Sequence, residues 1–141
     1  MEALGLVVVT HGRVAEELVN AARTILGHAK SLEAVSIDWD DDAANVRQRI
    51  EAAIRSADQG AGVLVLTDMF GGTPTNVALS FLEPGRVEVI TGVNLPMLIK
   101  FSNLRDDLAF LATAHQIVEQ GRAAIQLASE VLEGGAKKDR P

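Results

Sequence analysis

Residues 3–12 of the chain are ALGLVVVTHG, an apolar run rich in valine that ends in a histidine and a glycine. Such a run, without polar alternation, is typical of a strand that is covered on both faces of a parallel sheet. We therefore predict a buried strand at residues 3–10. Beyond it the apolar period changes to that of a helix that stops at Gly27. The apolar face of this helix consists of Ala15, Leu18, Val19, Ala22, Ile25 and Leu26.

Strands and helices continue to alternate along the rest of the chain. We predict further strands at residues 32–38, 62–67 and 86–91. One helix is predicted to begin after the aspartates at 40–42. Two more are predicted to begin at Thr73, as the N-cap before Pro74, and at the turn 92–96. A last long helix is predicted at residues 106–132. Trp39 is expected to be a packing residue or an edge residue and not a platform for a ligand.

This alternation predicts an α/β fold. We expect a doubly wound, mostly parallel, four-stranded sheet in the order 2-1-3-4, flavodoxin-like, with helices on both faces. An additional C-terminal edge strand is left open. Residues 1–133 are expected to form one domain and residues 134–141 a disordered tail.

Composition excludes several classes of function. The 141 residues are 48% hydrophobic and 23% charged, as in an ordinary folded domain. The net charge of -6 has the wrong sign for a nucleic-acid-binding protein. There is no cysteine, and the three histidines lack metal-ligand spacing, so we expect neither a metal site nor a cofactor. The apolar run at residues 4–9 is too short for a membrane span or a signal peptide, which predicts a cytoplasmic protein without direct membrane insertion.

The predicted strand order brings His11 and Asp68 together. In this topology ligands bind at the carboxyl ends of the first and third strands, where these two residues stand. A carboxylate that holds one ring nitrogen of a histidine leaves the lone pair of the other nitrogen free for nucleophilic attack. A phosphoryl group is the natural electrophile, because free backbone N–H groups near Gly12 and at residues 71–73 would bind an anion. The alternative is that both residues are hydrogen-bonded turn residues without catalytic function.

Two further segments allow two interpretations each. The aspartates at 38 and 40–42 lack the glycine turn and distal glutamate of a calcium loop, so we interpret them as a strand end and a helix cap. The turn at residues 94–98 is either a surface that faces a partner protein or a capped helix start with core side chains.

Three motifs together resemble the IIA component of the mannose family of the bacterial sugar phosphotransferase system. They are residues 10–12 (THG), 68–74 (DMFGGTP) and 92–98 (GVNLPML), each at the end of a predicted strand. The resemblance extends over about residues 3–130. It implies that His11 is phosphorylated by the phosphocarrier HPr and passes the group to a IIB component, and that Asp68 pairs with the ring of His11.

Further roles around this site belong to the same hypothesis of a phosphohistidine carrier. Gly12, Gly71, Gly72 and Thr73 are expected to hold the phosphoryl group. The candidate partner contacts lie on the rim of the cleft and are Arg13, Phe70, Asn94, Pro96 and Met97. Family members often form homodimers by exchanging a C-terminal strand, whereas here the basic sequence KKDR at 137–140 follows soon after the last predicted helix.

Four other functions compete with a carrier that serves a sugar transporter. One is a regulatory phosphorelay that uses the same chemistry. A second is the phosphoryl-donor subunit of dihydroxyacetone kinase, whose loop after the third strand usually lacks the FGGTP run at residues 70–74. A third is a receiver domain phosphorylated on Asp68, which would want acidic residues where Thr10 and His11 stand. The fourth is a non-catalytic anion-binding module.

Overall fold

The computed structural model describes residues 3–27, 31–104 and 108–134. In this part of the chain the sheet has four strands in the order β2-β1-β3-β4, and all neighbouring strands are parallel. The strands are β1 Gly5–His11, β2 Leu32–Ile37, β3 Val63–Thr67 and β4 Val87–Thr91. The predicted fold class and strand order are confirmed.

Helices connect these strands and cover the sheet. They are α1 Val14–Leu26, α2 Ala43–Ala57, α3 Gly72–Leu79, α4 Leu95–Asn103, α5 Phe110–Ala123 and α6 Ala128–Leu132. None of the described helices is long and apolar enough to cross a membrane.

Both faces of the sheet are covered, which explains why β1 lacks polar alternation. Leu6 and Val8 pack with α1, α4 and α5 on one face. Val7 and Val9 pack with α2 and α3 on the other. All four side chains are completely buried, and each stabilises the fold by about 1.5–3 kcal/mol.

The helix starts follow the sequence signals with one exception. The Asp42 side chain caps α2 by accepting the N–H of Asn45 at 2.7 Å, as predicted. Thr73, in contrast, is not the N-cap of α3, because the N-cap lies two residues earlier, at Gly71. Gly71 has φ +97°, a backbone conformation that is unfavourable for residues with a Cβ. The chain therefore turns at this glycine just before α3 begins.

The prediction of one long C-terminal helix is wrong. Its expected start, Asp106, lies outside the described residues, and the chain leaves helical geometry after Ala123 before the short α6. Gly121 is the last buried residue of α5, where a Cβ would lie 2.7 Å from Sδ of Met97. Beyond it Ile125 and Leu132 are exposed, so the apolar period continues without a core to pack against.

The described C-terminal residues 108–134 contain no additional strand. Most of the predicted disordered tail, residues 135–141, lies outside the described residues.

Candidate active site

His11 and Asp68 are in direct contact at the carboxyl edge of the sheet. His11 is the last residue of β1, and Asp68 directly follows the neighbouring strand β3. Nδ1 of His11 lies 2.9 Å from Oδ2 of Asp68. The same oxygen accepts the backbone N–H of His11 at 3.0 Å, so one carboxylate holds both the ring and the main chain of the histidine.

This contact fixes the chemistry of the His11 ring. A carboxylate only accepts hydrogen bonds, so the proton resides on Nδ1 and the lone pair is on Nε2. The side chain of His11 is 45% exposed, which leaves the ring accessible from solvent. His11 therefore has the geometry of an oriented nucleophile. The other oxygen of Asp68, Oδ1, is buried without a hydrogen-bond partner among the described residues.

Gly72 lies against the reactive edge of the His11 ring. A Cβ at Gly72 would stand 3.0 Å from both Nε2 and Cε1 of His11. The residue also has φ +81°, which disfavours any side chain. Only glycine therefore allows the start of α3 to approach Nε2 this closely.

A cleft of about 490 Å³ opens beside these residues. It is lined by His11, Gly12, Ile37, Asp38, Trp39, Asp41, Gly72 and Thr73. Free N–H groups were predicted near Gly12, but the N–H of Gly12 itself is not free, because it donates to the carbonyl of Ile37 at 2.8 Å. The first N–H groups of α3 lack partners within the helix, as at any helix start, and a helix start of this kind can bind an anion. Gly71 is in this loop, and a Cβ there would meet nothing within 4 Å.

Three buried threonines support the loops of the site, and our sequence analysis missed them. The hydroxyl of Thr10 accepts the N–H of Ala15 at 2.7 Å and so anchors the first turn of α1 behind His11. The Thr75 hydroxyl donates to the carbonyl of Met69 and lies 2.8 Å from the hydroxyl of Thr67, which fixes the loop that carries Asp68. A threonine near the carboxyl end of each of the two buried strands β1 and β3 was the available signal for Thr10 and Thr67, whereas Thr75 lies in α3 and had no such signal.

The candidate partner contacts separate into two groups. Arg13 and Phe70 are exposed beside the cleft. Asn94 instead caps α4 by accepting the N–H of Met97 at 3.2 Å, and it donates to the carbonyl of Gly121 at 3.1 Å. Met97 is only 2% exposed and presents no surface to a partner in this conformation. Pro96 is half-buried in the first turn of α4. These residues stay predictions as partner contacts.

The loop after β2 differs from the expected packing. Trp39 is fully exposed, so the expectation of a packing residue is wrong. Asp38, Asp40 and Asp41 place carboxylate oxygens within 4.8 Å of one another. Arg49 pairs with Asp41 at 3.2 Å, which neutralises part of this charge. Exposed carboxylates at such spacing are common without a cation, and we assign no metal to them.

Comparison with known proteins decides the family. The family model EIIA-man, described as the phosphotransferase system (PTS) fructose IIA component, matches residues 5–118. The chain belongs to this family. His11, Asp68 and the glycine-rich loop all lie within the matched residues, so the resemblance inferred from the three motifs is confirmed.

Individual EIIA-man relatives agree with this assignment. The fructose-specific EIIA component of Bacillus subtilis (strain 168) is 30% identical over 92% of this chain and 90% of its own length. The mannose-specific EIIAB component of Escherichia coli (strain K12) is 32% identical over 87% of this chain, which spans 39% of that protein. Among solved structures, the mannose/sorbose-specific IIA subunit from Enterococcus faecalis has a TM-score of 0.78 and 28% identity over 90% of this chain and 95% of its own.

Membership in the EIIA-man family establishes the general function. The protein is a phosphocarrier component that passes phosphoryl groups in a sugar phosphotransferase system. The family match favours this function over a kinase subunit, a receiver domain or a non-catalytic anion-binding module.

Proposed function

We propose that Nε2 of His11 accepts a phosphoryl group from HPr and passes it to a IIB component. The observation that carries this proposal is the contact of 2.9 Å between Nδ1 of His11 and Asp68, beside an open cleft in a chain of the EIIA-man family. The contact leaves one ring nitrogen with a free lone pair. Whether the acceptor serves a transporter or a regulatory relay, the chemistry at His11 is the same.

The transfer is a substitution at phosphorus. The lone pair of Nε2 attacks the phosphoryl group on the histidine of HPr, a new N–P bond forms, and the electrons of the old N–P bond return to the donor ring. The proton of Nδ1 stays in place, so positive charge develops on the His11 ring. The carboxylate of Asp68 stabilises this charge, and the N–H groups at the start of α3 stabilise the phosphoryl oxygens.

Intact-protein mass spectrometry tests the proposal. After incubation with phosphoenolpyruvate, enzyme I and HPr, the protein is expected to gain one phosphoryl group. The added group should be lost in acid and persist in alkali, as a phosphohistidine does. A group that alkali also removes would indicate an acyl phosphate on an aspartate instead. No added mass on folded protein would exclude HPr as the donor.

Gly72→Ala is expected to slow transfer from HPr on the order of 10- to 100-fold, because the new methyl group displaces Nε2 of His11. Gly71→Ala is the matched control. Both glycines have positive φ, so both variants carry backbone strain of about 1–3 kcal/mol, but a Cβ at Gly71 meets no neighbouring atom. Rapid-quench transfer rates and the NMR shifts of the His11 ring separate displacement of this ring from backbone strain. Equal slowing in both variants would attribute the loss to strain alone.

We also propose that the protein forms a homodimer through the β4 edge of the sheet. At the opposite edge Arg23 and Arg49 donate to the carbonyls of Leu32 and Ser36 at 2.8 and 2.7 Å, which blocks the pairing of another strand. Among the described residues, no arginine side chain donates a hydrogen bond to a carbonyl of β4. A groove of about 430 Å³ lies beside β4, and the 80% exposed Ile125 contributes to its lining.

Ile125→Asp is therefore expected to weaken the dimer about tenfold or more, since a charge in an interface core costs at least 1.4 kcal/mol. Light scattering coupled to size-exclusion chromatography over a dilution series measures this shift. Ile25→Asp is the control, because Ile25 is an exposed isoleucine on α1. A wild-type protein that stays monomeric at high concentration would contradict the proposed dimer.

A further inference from the structure

Large apolar side chains project into solvent on both sides of His11. Trp39, in the loop after β2, is fully exposed, and Phe70, in the loop after β3, is 77% exposed. Because β1 lies between β2 and β3, these two loops flank the histidine. A fully exposed tryptophan contributes nothing to the core of this fold, whereas tryptophan is enriched among the residues that dominate binding energy at protein interfaces.

The charges beside Trp39 indicate which partner this surface fits. Asp41 and Asp42 are used within the fold, by Arg49 and by the cap of α2. The exposed side chains of Asp38 and Asp40 have no basic partner among the described residues. These carboxylates attract a protein donor with basic residues around its phosphohistidine.

We propose that Trp39 is the apolar anchor of a docking surface for the phosphoryl-donor protein, and that Asp38 and Asp40 select a donor whose face is basic around an apolar patch. This inference rests on the proposed function of His11. The surface acts before the chemical step, because it raises the fraction of encounters that place the donor histidine next to Nε2. Its removal therefore affects transfer from a protein donor more than transfer from a small molecule.

Two phosphoryl donors distinguish docking from chemistry. Phosphorylated HPr requires the surface, whereas phosphoramidate, a small donor that phosphorylates histidine directly, does not. For each variant the measured quantity is the ratio of the two labelling rates. Trp39→Ala is expected to lower this ratio on the order of tenfold, through a higher KM for phosphorylated HPr.

Asp40→Lys is expected to lower the same ratio on the order of tenfold at low ionic strength and less at high salt, as screening requires. Glu51→Lys is the matched control, since it makes the same change of charge on a half-exposed residue of α2. Glu51→Lys is expected to leave both labelling rates unchanged.

Each outcome has one meaning. A lowered ratio in Trp39→Ala and Asp40→Lys, with the control unchanged, supports the docking surface. An unchanged ratio in both variants overturns it, as does an equal loss of labelling by both donors, which would show that the loop acts on His11 itself. No labelling of the wild type by either donor would overturn the proposed function, and the docking surface with it.

Discussion

His11→Ala is expected to abolish phosphorylation by HPr completely, the largest effect of any substitution in this protein. The variant lacks the nitrogen that forms the N–P bond, and among the described residues no second histidine lies in the cleft. The fold should persist, because the His11 ring is half-exposed and lies outside both hydrophobic cores. Intact-protein mass after incubation with the phosphorylated donor, together with thermal unfolding, measures both statements.

The control for this variant is His115→Ala. His115 is an exposed histidine on α5, outside the cleft that His11 lines. Its replacement should leave the added phosphoryl group in place. A phosphoryl group that persists in His11→Ala and disappears in His115→Ala would move the acceptor to α5 and contradict the proposed site. Loss of labelling in both variants would point to a general defect in donor recognition.

The strand order was predictable because the sequence encodes it redundantly. β1 and β3 are continuous apolar runs, and a strand without a polar face has to be central in a sheet that is covered on both sides. The meeting of His11 and Asp68 follows from this order alone, since each residue stands at the carboxyl end of one of the two adjacent strands. The contact between His11 and Asp68 could therefore be predicted from the strand order.

Other features were not predictable, because they depend on tertiary contacts. The break after Ala123 arises where α5 leaves the sheet, and apolar spacing does not report where the core ends. The close approach of Gly72 to Nε2 requires the relative position of two elements that are 61 residues apart in the sequence. Trp39 was expected to be a packing or an edge residue, because tryptophan is highly buried on average. Its complete exposure is informative for the same reason.

Asp68→Asn is expected to slow phosphoryl transfer on the order of 100-fold or more while the protein stays folded. The carboxylate oxygen Oδ2 accepts two hydrogen bonds from His11, at 2.9 and 3.0 Å. An asparagine whose carbonyl takes this place keeps both hydrogen bonds and puts its NH₂ group at the buried position of Oδ1, an atom that has no hydrogen-bond partner among the described residues. The flipped asparagine sets its NH₂ group against the backbone N–H of His11 and loses both hydrogen bonds. A buried donor left unpaired costs about 1–3 kcal/mol.

The asparagine variant also removes a negative charge where positive charge develops on the ring. Two measurements separate this effect from a change of ring orientation. Rapid-quench kinetics with phosphorylated HPr give the transfer rate, and ¹⁵N NMR of the histidine ring reports which nitrogen carries the proton. Asp58→Asn is the control, because Asp58 pairs with Arg86 at 2.9 Å and precedes β3 at the opposite end of the sheet from His11. If transfer is slow and the proton is still on Nδ1, Asp68 acts through its charge. If transfer is slow and the proton is on Nε2, Asp68 acts by orienting the ring. An unchanged rate would remove Asp68 from the mechanism.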